Sequence, residues 1–152
     1  MQYRKFGKTG ETVSVLGFGA MRFPCKDGKV DADEAVAMLR RSIDAGLTYI
    51  DTAYFYHDGE SESIVGRALK DGYREKVHVA TKMPLCLVEK PEDFERFLTT
   101  QLERLEIGAM DFLSFPCSGP EGMGQGEAFR PAGKDGAGQT RRKNPAHRIF
   151  LP

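Results

Sequence analysis

Thr48-Tyr49-Ile50, closed by Asp51, and Val77-His78-Val79-Ala80-Thr81, followed by Lys82, are the stretches whose reading decides the fold. Both are short, rich in β-branched or aromatic residues, and end against a charged side chain, as strands do. Between them Ser61 to Lys70 has helical spacing, with Ile64, Val65, Ala68 and Leu69 turned inward. A strand, a helix and a strand in that order make a crossover, and a crossover makes the two strands parallel.

The same grammar extends in both directions. Upstream, Val13 to Gly19 is a short apolar run ending in glycines, and a hairpin from Tyr3 to Leu16 fits before it. Asp31 to Ala45 reads as a helix. Asp31 and Glu34 have capping-box spacing, Val36, Leu39 and Ile43 share a face, and Gly46 is a natural stop. Downstream, Pro91 suits the first turn of a helix in which Phe94, Phe97, Leu98, Gln101, Leu102 and Leu105 recur at helical spacing, all but Gln101 apolar. Met110 to Leu113 starts a fourth strand. Residues 1–113 therefore alternate strand and helix, the pattern of an α/β fold with a parallel sheet.

Residues 114–152 follow different rules. They hold seven glycines and five prolines, and Ile149 and Leu151 are their only Ile, Leu or Val. No period of strand or helix survives, so composition predicts a disordered C-terminal tail.

The chain carries 22 basic and 22 acidic residues in 152, and 40% are hydrophobic. Balanced charge removes the general argument for nucleic acid or an anionic membrane as partner. No apolar stretch is long enough to span a bilayer, and Met1 to Thr9 has no apolar run of the secretory kind. Cys25, Cys86 and Cys117 lie far apart, with no C-x-x-C pair to suggest a metal, and read as reduced cytoplasmic thiols.

In a parallel barrel the C-terminal ends of the strands face one common site. Asp51 and Lys82 both stand at such ends, and Tyr56 lies in the loop after the first of them. A lysine beside a tyrosine favours the phenolate, which suits the tyrosine to acid–base work. Spacing alone leaves open a surface ion pair with an unrelated loop tyrosine.

Asp51-Thr52-Ala53-Tyr54-Phe55-Tyr56, followed by Gly59-Glu60-Ser61-Glu62, resembles a pattern of the aldo-keto reductases. Leu16-Gly17-Phe18-Gly19 with Met21-Arg22, Ile64-Val65-Gly66-Arg67-Ala68-Leu69 and Val79-Ala80-Thr81-Lys82 are similar to that family's first strand and loop, second helix and third strand. The motifs come in family order over about 110 residues; His57-Asp58 is a local departure. The resemblance implies a partial (β/α)8 TIM barrel of about four parallel strands over residues 1–113. It implies an NADP-dependent oxidoreductase acting on a small carbonyl substrate. Tyr56 would donate the proton to the carbonyl oxygen, Lys82 would tune Tyr56, and Asp51 would hold Lys82. Gly19, Ala20 and Met21 would lie beside the nicotinamide or the substrate, although a tight turn would explain the glycine equally well. His57 is a loop residue near the active face, and His78 is expected to point to a helix layer.

The family places a histidine at the end of its fourth strand, where this chain has Ser114-Phe115-Pro116-Cys117-Ser118. A proline has no side-chain donor or acceptor and breaks a central strand. A one-base frameshift after about residue 113 would explain it; the alternative is a genuine Gly/Pro-rich tail on a divergent protein. Read one base on, Ser114 to Ser118 can encode L-F-H-A-L, and Met123-Gly124 forces a tryptophan. Arg130 to Gly136 can encode G-L-L-E-K-M-E, and Lys143 to Leu151 can encode K-I-R-H-I-G-F-S-F. On this reading 114–152 is out of frame, and the chain is truncated and inactive. The alternative function is a non-catalytic nicotinamide-binding or regulatory barrel subunit.

Overall fold

The structure, a computed structural model, describes residues 1–115. Of the tail, Ser114 still belongs to the last strand; the shifted reading beyond Phe115, with Pro116 and Cys117, lies outside the described residues.

Four parallel strands form the sheet: β3 (Phe18–Gly19), β6 (Tyr49–Asp51), β7 (His78–Lys82) and β8 (Phe112–Ser114), in that spatial order. Three helices cross between them: α1 (Ala32–Asp44), α2 (Glu60–Ala68) and α3 (Pro91–Leu105). The parallel sheet with crossover helices is what the alternating pattern predicts, and the arrangement is the partial (β/α)8 barrel that the resemblance implies.

The sequence explains why each helix starts and stops. Asp31 Oδ1 accepts the Glu34 N–H at 3.0 Å, satisfying a donor that the first turn of α1 leaves open. Gly46, at φ 94°, closes the helix as its N–H reaches the Ile43 carbonyl at 2.8 Å. Before α3, the Glu89 and Lys90 N–H groups both donate to Asp93, at 3.2 Å each. At Gly66 the α2 and α3 backbones meet: a Cβ there would lie 2.6 Å from the Leu105 carbonyl oxygen.

Strand alternation sorts the sheet into two faces. Ile50 and Val79 pack with Leu39, Ile43, Val65 and Leu105 in one apolar core, and Leu113 joins Met83, Phe97 and Leu98 in a second. The opposite face, the barrel interior, carries Tyr49 and Asp51 from β6, His78 and Lys82 from β7, and Phe112 and Ser114 from β8. Register sets these side by side: Gly19 against Asp51, Tyr49 against His78, and Lys82 against Ser114.

Two expectations need correction. The run Val13–Gly19 is two elements, because β1 (Tyr3–Lys5) and β2 (Thr12–Ser14) form an antiparallel hairpin and only Phe18–Gly19 joins the barrel. This hairpin floors the interior: the Phe6 ring lies 4.7 Å from Phe112 and 5.4 Å from Tyr49. His78 does not face the helices. It shares the interior face with Lys82, its ring 5.8 Å from Phe112, since Val79 takes the helix side. A second hairpin, β4 (Cys25–Lys26) with β5 (Lys29–Val30), turns on Asp27 and Gly28 at φ 52° and 77°. Asp-Gly is a strong signal for that turn, and apolar periodicity passes over it.

Candidate active site

The site lies where β3, β6 and β7 end. Lys82 Nζ donates to Asp51 Oδ2 at 2.5 Å and to the Thr52 carbonyl at 2.9 Å. It stands 4.8 Å from the centroid of the Tyr56 ring. The pairing follows from topology: two parallel neighbours place the last residue of β6 and the last residue of β7 on one face, at one end. The pair is partly enclosed, with 23% of the Lys82 and 36% of the Asp51 side chain exposed. A charge pair so placed is worth more than one on the open surface.

Tyr56 is delivered by an unusual turn. His57, Asp58 and Gly59 all take left-handed backbone, at φ 52°, 54° and 93°. Such conformations are costly outside glycine and persist where surrounding contacts hold them. Gly59 precedes α2, and the Glu60 N–H returns to the carbonyls of Tyr56 and His57.

The three residues expected at the cofactor differ in what they offer. Gly19 pairs with Asp51, has no left-handed φ, and a Cβ on it would meet nothing within 4 Å. The tight-turn explanation of this glycine therefore falls, and bare backbone faces open space next to Asp51. Met21 is 55% exposed. Ala20 is used internally: its N–H donates to the Asp51 carbonyl at 2.8 Å, its carbonyl accepts from Ser61 Oγ at 2.9 Å, and its methyl is buried in the core.

Residues quoted only as part of a motif prove to build the site's frame. Ser61 Oγ also lies 2.9 Å from Thr52 Oγ1, so one hydroxyl ties the ends of β3 and β6. Glu62 is fully buried and accepts from Thr81 Oγ1 at 2.7 Å, Gln101 Nε2 at 2.8 Å and Arg104 Nη1 at 3.3 Å. Gln101 Nε2 reaches on to the Lys82 carbonyl at 3.1 Å, and Arg104 Nη1 to the Tyr54 carbonyl at 3.3 Å. One carboxylate thus braces both the Lys82 strand and the Tyr54–Tyr56 loop. Sequence reasoning missed this brace; a glutamate and a glutamine in line with the apolar rows of their helices are the signals that could have found it, since buried polar groups need partners.

Comparison with known proteins agrees with this geometry. The model of the Aldo/keto reductase family matches residues 15–121. A rice protein described as a probable voltage-gated potassium channel subunit beta is 39% identical over 85 residues, 55% of this chain and 25% of its own length. A probable aldo-keto reductase of soybean is 30% identical over 116 residues, 70% of this chain and 34% of its own. The crystal structure of an aldo-keto reductase from Klebsiella pneumoniae in complex with NADPH superposes with a TM-score of 0.59 at 31% identity, covering 68% of this chain and 35% of that one. The chain spans about a quarter to a third of the length of these curated relatives. Since the family model matches well over half of the chain, the chain belongs to the aldo-keto reductase family.

Proposed function

We propose that these residues are the proton-handling part of an NADP-dependent carbonyl reductase, with the Lys82–Asp51 ion pair beneath Tyr56 as the observation that carries the reading. Tyr56 gives its proton to the substrate's carbonyl oxygen as that oxygen gains negative charge. Lys82, fixed by Asp51 and the Thr52 carbonyl, offsets the phenolate left behind. Asp51 keeps the ammonium charged and aimed. Gly19 and Met21 would hold the nicotinamide end of the cofactor, which supplies the hydride. The complex of the Klebsiella reductase with NADPH supports that choice of cofactor. The substrate is a small aldehyde or ketone, and the setting is the cytoplasm. Among the described residues no helix is long and apolar enough to cross a membrane.

Residues 1–113 are read as the barrel part and 114–152 as an out-of-frame tail, so this chain itself turns over little. The nucleotide sequence around codons 110–116 tests the frame. Function is tested by measuring NADPH consumption with a panel of aldehydes and ketones. The proteins compared are this chain, a frame-restored chain, and the restored chain with Tyr56→Phe. Turnover in the restored chain that Tyr56→Phe lowers by a hundred-fold or more, the scale of lost acid catalysis, supports the reading; equal rates refute it. The similarity to a channel beta subunit favours a second reading, a nicotinamide-binding regulatory subunit. A restored chain that binds NADPH and reduces nothing puts that reading first.

A further inference from the structure

His57, with Asp58, is a local departure from the family pattern, and the proton chemistry above does not use it. Its Nε2 lies 3.1 Å from the Phe23 backbone nitrogen and accepts that N–H. Its ring stacks on the Phe23 ring at 5.2 Å and 18°. Phe23 is itself packed in the core beside Ala20. One side chain, next to Tyr56 in the chain, therefore grips the backbone two residues after Met21. The contact spans 34 residues of sequence and joins the two loops that flank the site.

We propose that His57 is a positioning residue that acts only as the neutral ring, latching the Gly19–Phe23 segment to the Tyr56 turn. The reasoning is donor counting. A backbone N–H can meet an imidazole nitrogen only if that nitrogen carries a lone pair, so Nε2 is bare and the proton sits on Nδ1. Protonation puts a second donor at Nε2, facing the first, and the bond is lost. Histidine is the side chain suited to make that change near neutral pH. The backbone supports the same role, because the left-handed turn at His57 and Asp58 aims the ring away from α2 toward Phe23. The charged side chains on the segments that meet here are Arg22 on the loop, and Asp58 and Glu60 on the turn and the start of α2. All three are exposed, and among the described residues none bonds to the ring. From α3, the Arg104 guanidinium lies against Gly59 and bonds to the Tyr54 carbonyl and Glu62; at the strand ends Asp51 and Lys82 bond to each other. Loosening of the Gly19–Phe23 segment in acid is a property of this chain; weaker cofactor binding in acid also rests on the proposed function.

Amide hydrogen exchange at Phe23, corrected for intrinsic rates, tests this in the 152-residue chain at about pH 8 and about pH 5, within the span where histidines titrate. The Leu39 amide of α1 serves as a reference for global opening. Phe23 should be protected at the higher pH and lose roughly ten-fold at the lower, the scale of one hydrogen bond, while Leu39 holds. His57→Gln carries a carbonyl acceptor that does not titrate, so Phe23 should stay protected at both values. His57→Phe keeps the stacking and loses the acceptor, so protection should be low at both. Ring nitrogen shifts of the unmutated chain give a check that needs no variant: the neutral ring should carry its proton on Nδ1. A proton on Nε2, or Phe23 protection that ignores pH or survives His57→Phe, overturns the proposal. Exchange behaving as described, together with a frame-restored chain that binds no NADPH, leaves the latch standing and counts against the reductase reading alone.

Discussion

Replacing Glu62 by alanine removes the one carboxylate that braces both sides of the site, and its cost can be worked from the contacts. The side chain is fully buried, while 28% of the Arg104 side chain stays exposed. Three donors lose their acceptor: Thr81 Oγ1, Gln101 Nε2 and Arg104 Nη1. Two retain others. Gln101 Nε2 keeps Thr81 Oγ1 at 3.0 Å and the Lys82 carbonyl, and Arg104 keeps the Tyr54 carbonyl and the face of the Tyr54 ring at 4.3 Å. Breaking a buried pair by removing one partner costs about 3–5 kcal/mol. The partial exposure of Arg104 places Glu62→Ala near the low end, at about 3 kcal/mol. Arg104→Met should cost more than an exposed-pair variant, because it leaves the buried Glu62 carboxylate without its counter-charge, held only by Thr81 and Gln101. The two changes together should cost less than their sum, since each removes the other's orphan. Urea denaturation of the 152-residue chain and the three variants reads these differences directly. A loss below about 1 kcal/mol for Glu62→Ala, the value of a surface pair, or strict additivity in the double variant, would refute the claim that Glu62 braces the site.

Two further outcomes are expected. Gly66→Ala places a methyl carbon 2.6 Å from the Leu105 carbonyl oxygen, which is backbone and cannot swing away, so α2 and α3 must separate. The expected loss is about 1–3 kcal/mol, seen as a lowered Tm, and an unchanged Tm would show that the helices do not pack as described. Burial first, and the Asp51 carboxylate second, push the Tyr49 phenol above its ordinary 10.0. The folded chain then holds a proton that the unfolded chain releases. That contribution to stability is whole below pH 10.0 and is lost as pH rises through the folded value. Tyr73, whose hydroxyl donates to Asp44, moves the same way. Tyr49→Phe should therefore flatten the alkaline fall in urea midpoint in a Tyr73→Phe background, and an identical fall with and without Tyr49 would contradict the assignment.

What the sequence determined by itself is local in origin. The Asp31 cap, the Gly46 stop, the inward rows of the three helices and the strand–helix alternation depend on neighbours within a few residues, and they specify a parallel sheet. A parallel sheet in turn sends strand-terminal residues to one end, so Asp51 and Lys82 were legible as a pair; Tyr56 was legible through its motif. The tertiary structure alone decided which residues meet across the chain. The division of Val13–Gly19 between hairpin and barrel, the inward turn of His78, the brace of Glu62 with Gln101 and Arg104, and the grip of His57 on Phe23 are set by register and by contacts between distant segments. Hydrogen bonds such as these span 34 to 42 residues. No short-range period encodes them, because the partner of a buried donor is whatever the packed fold brings within reach.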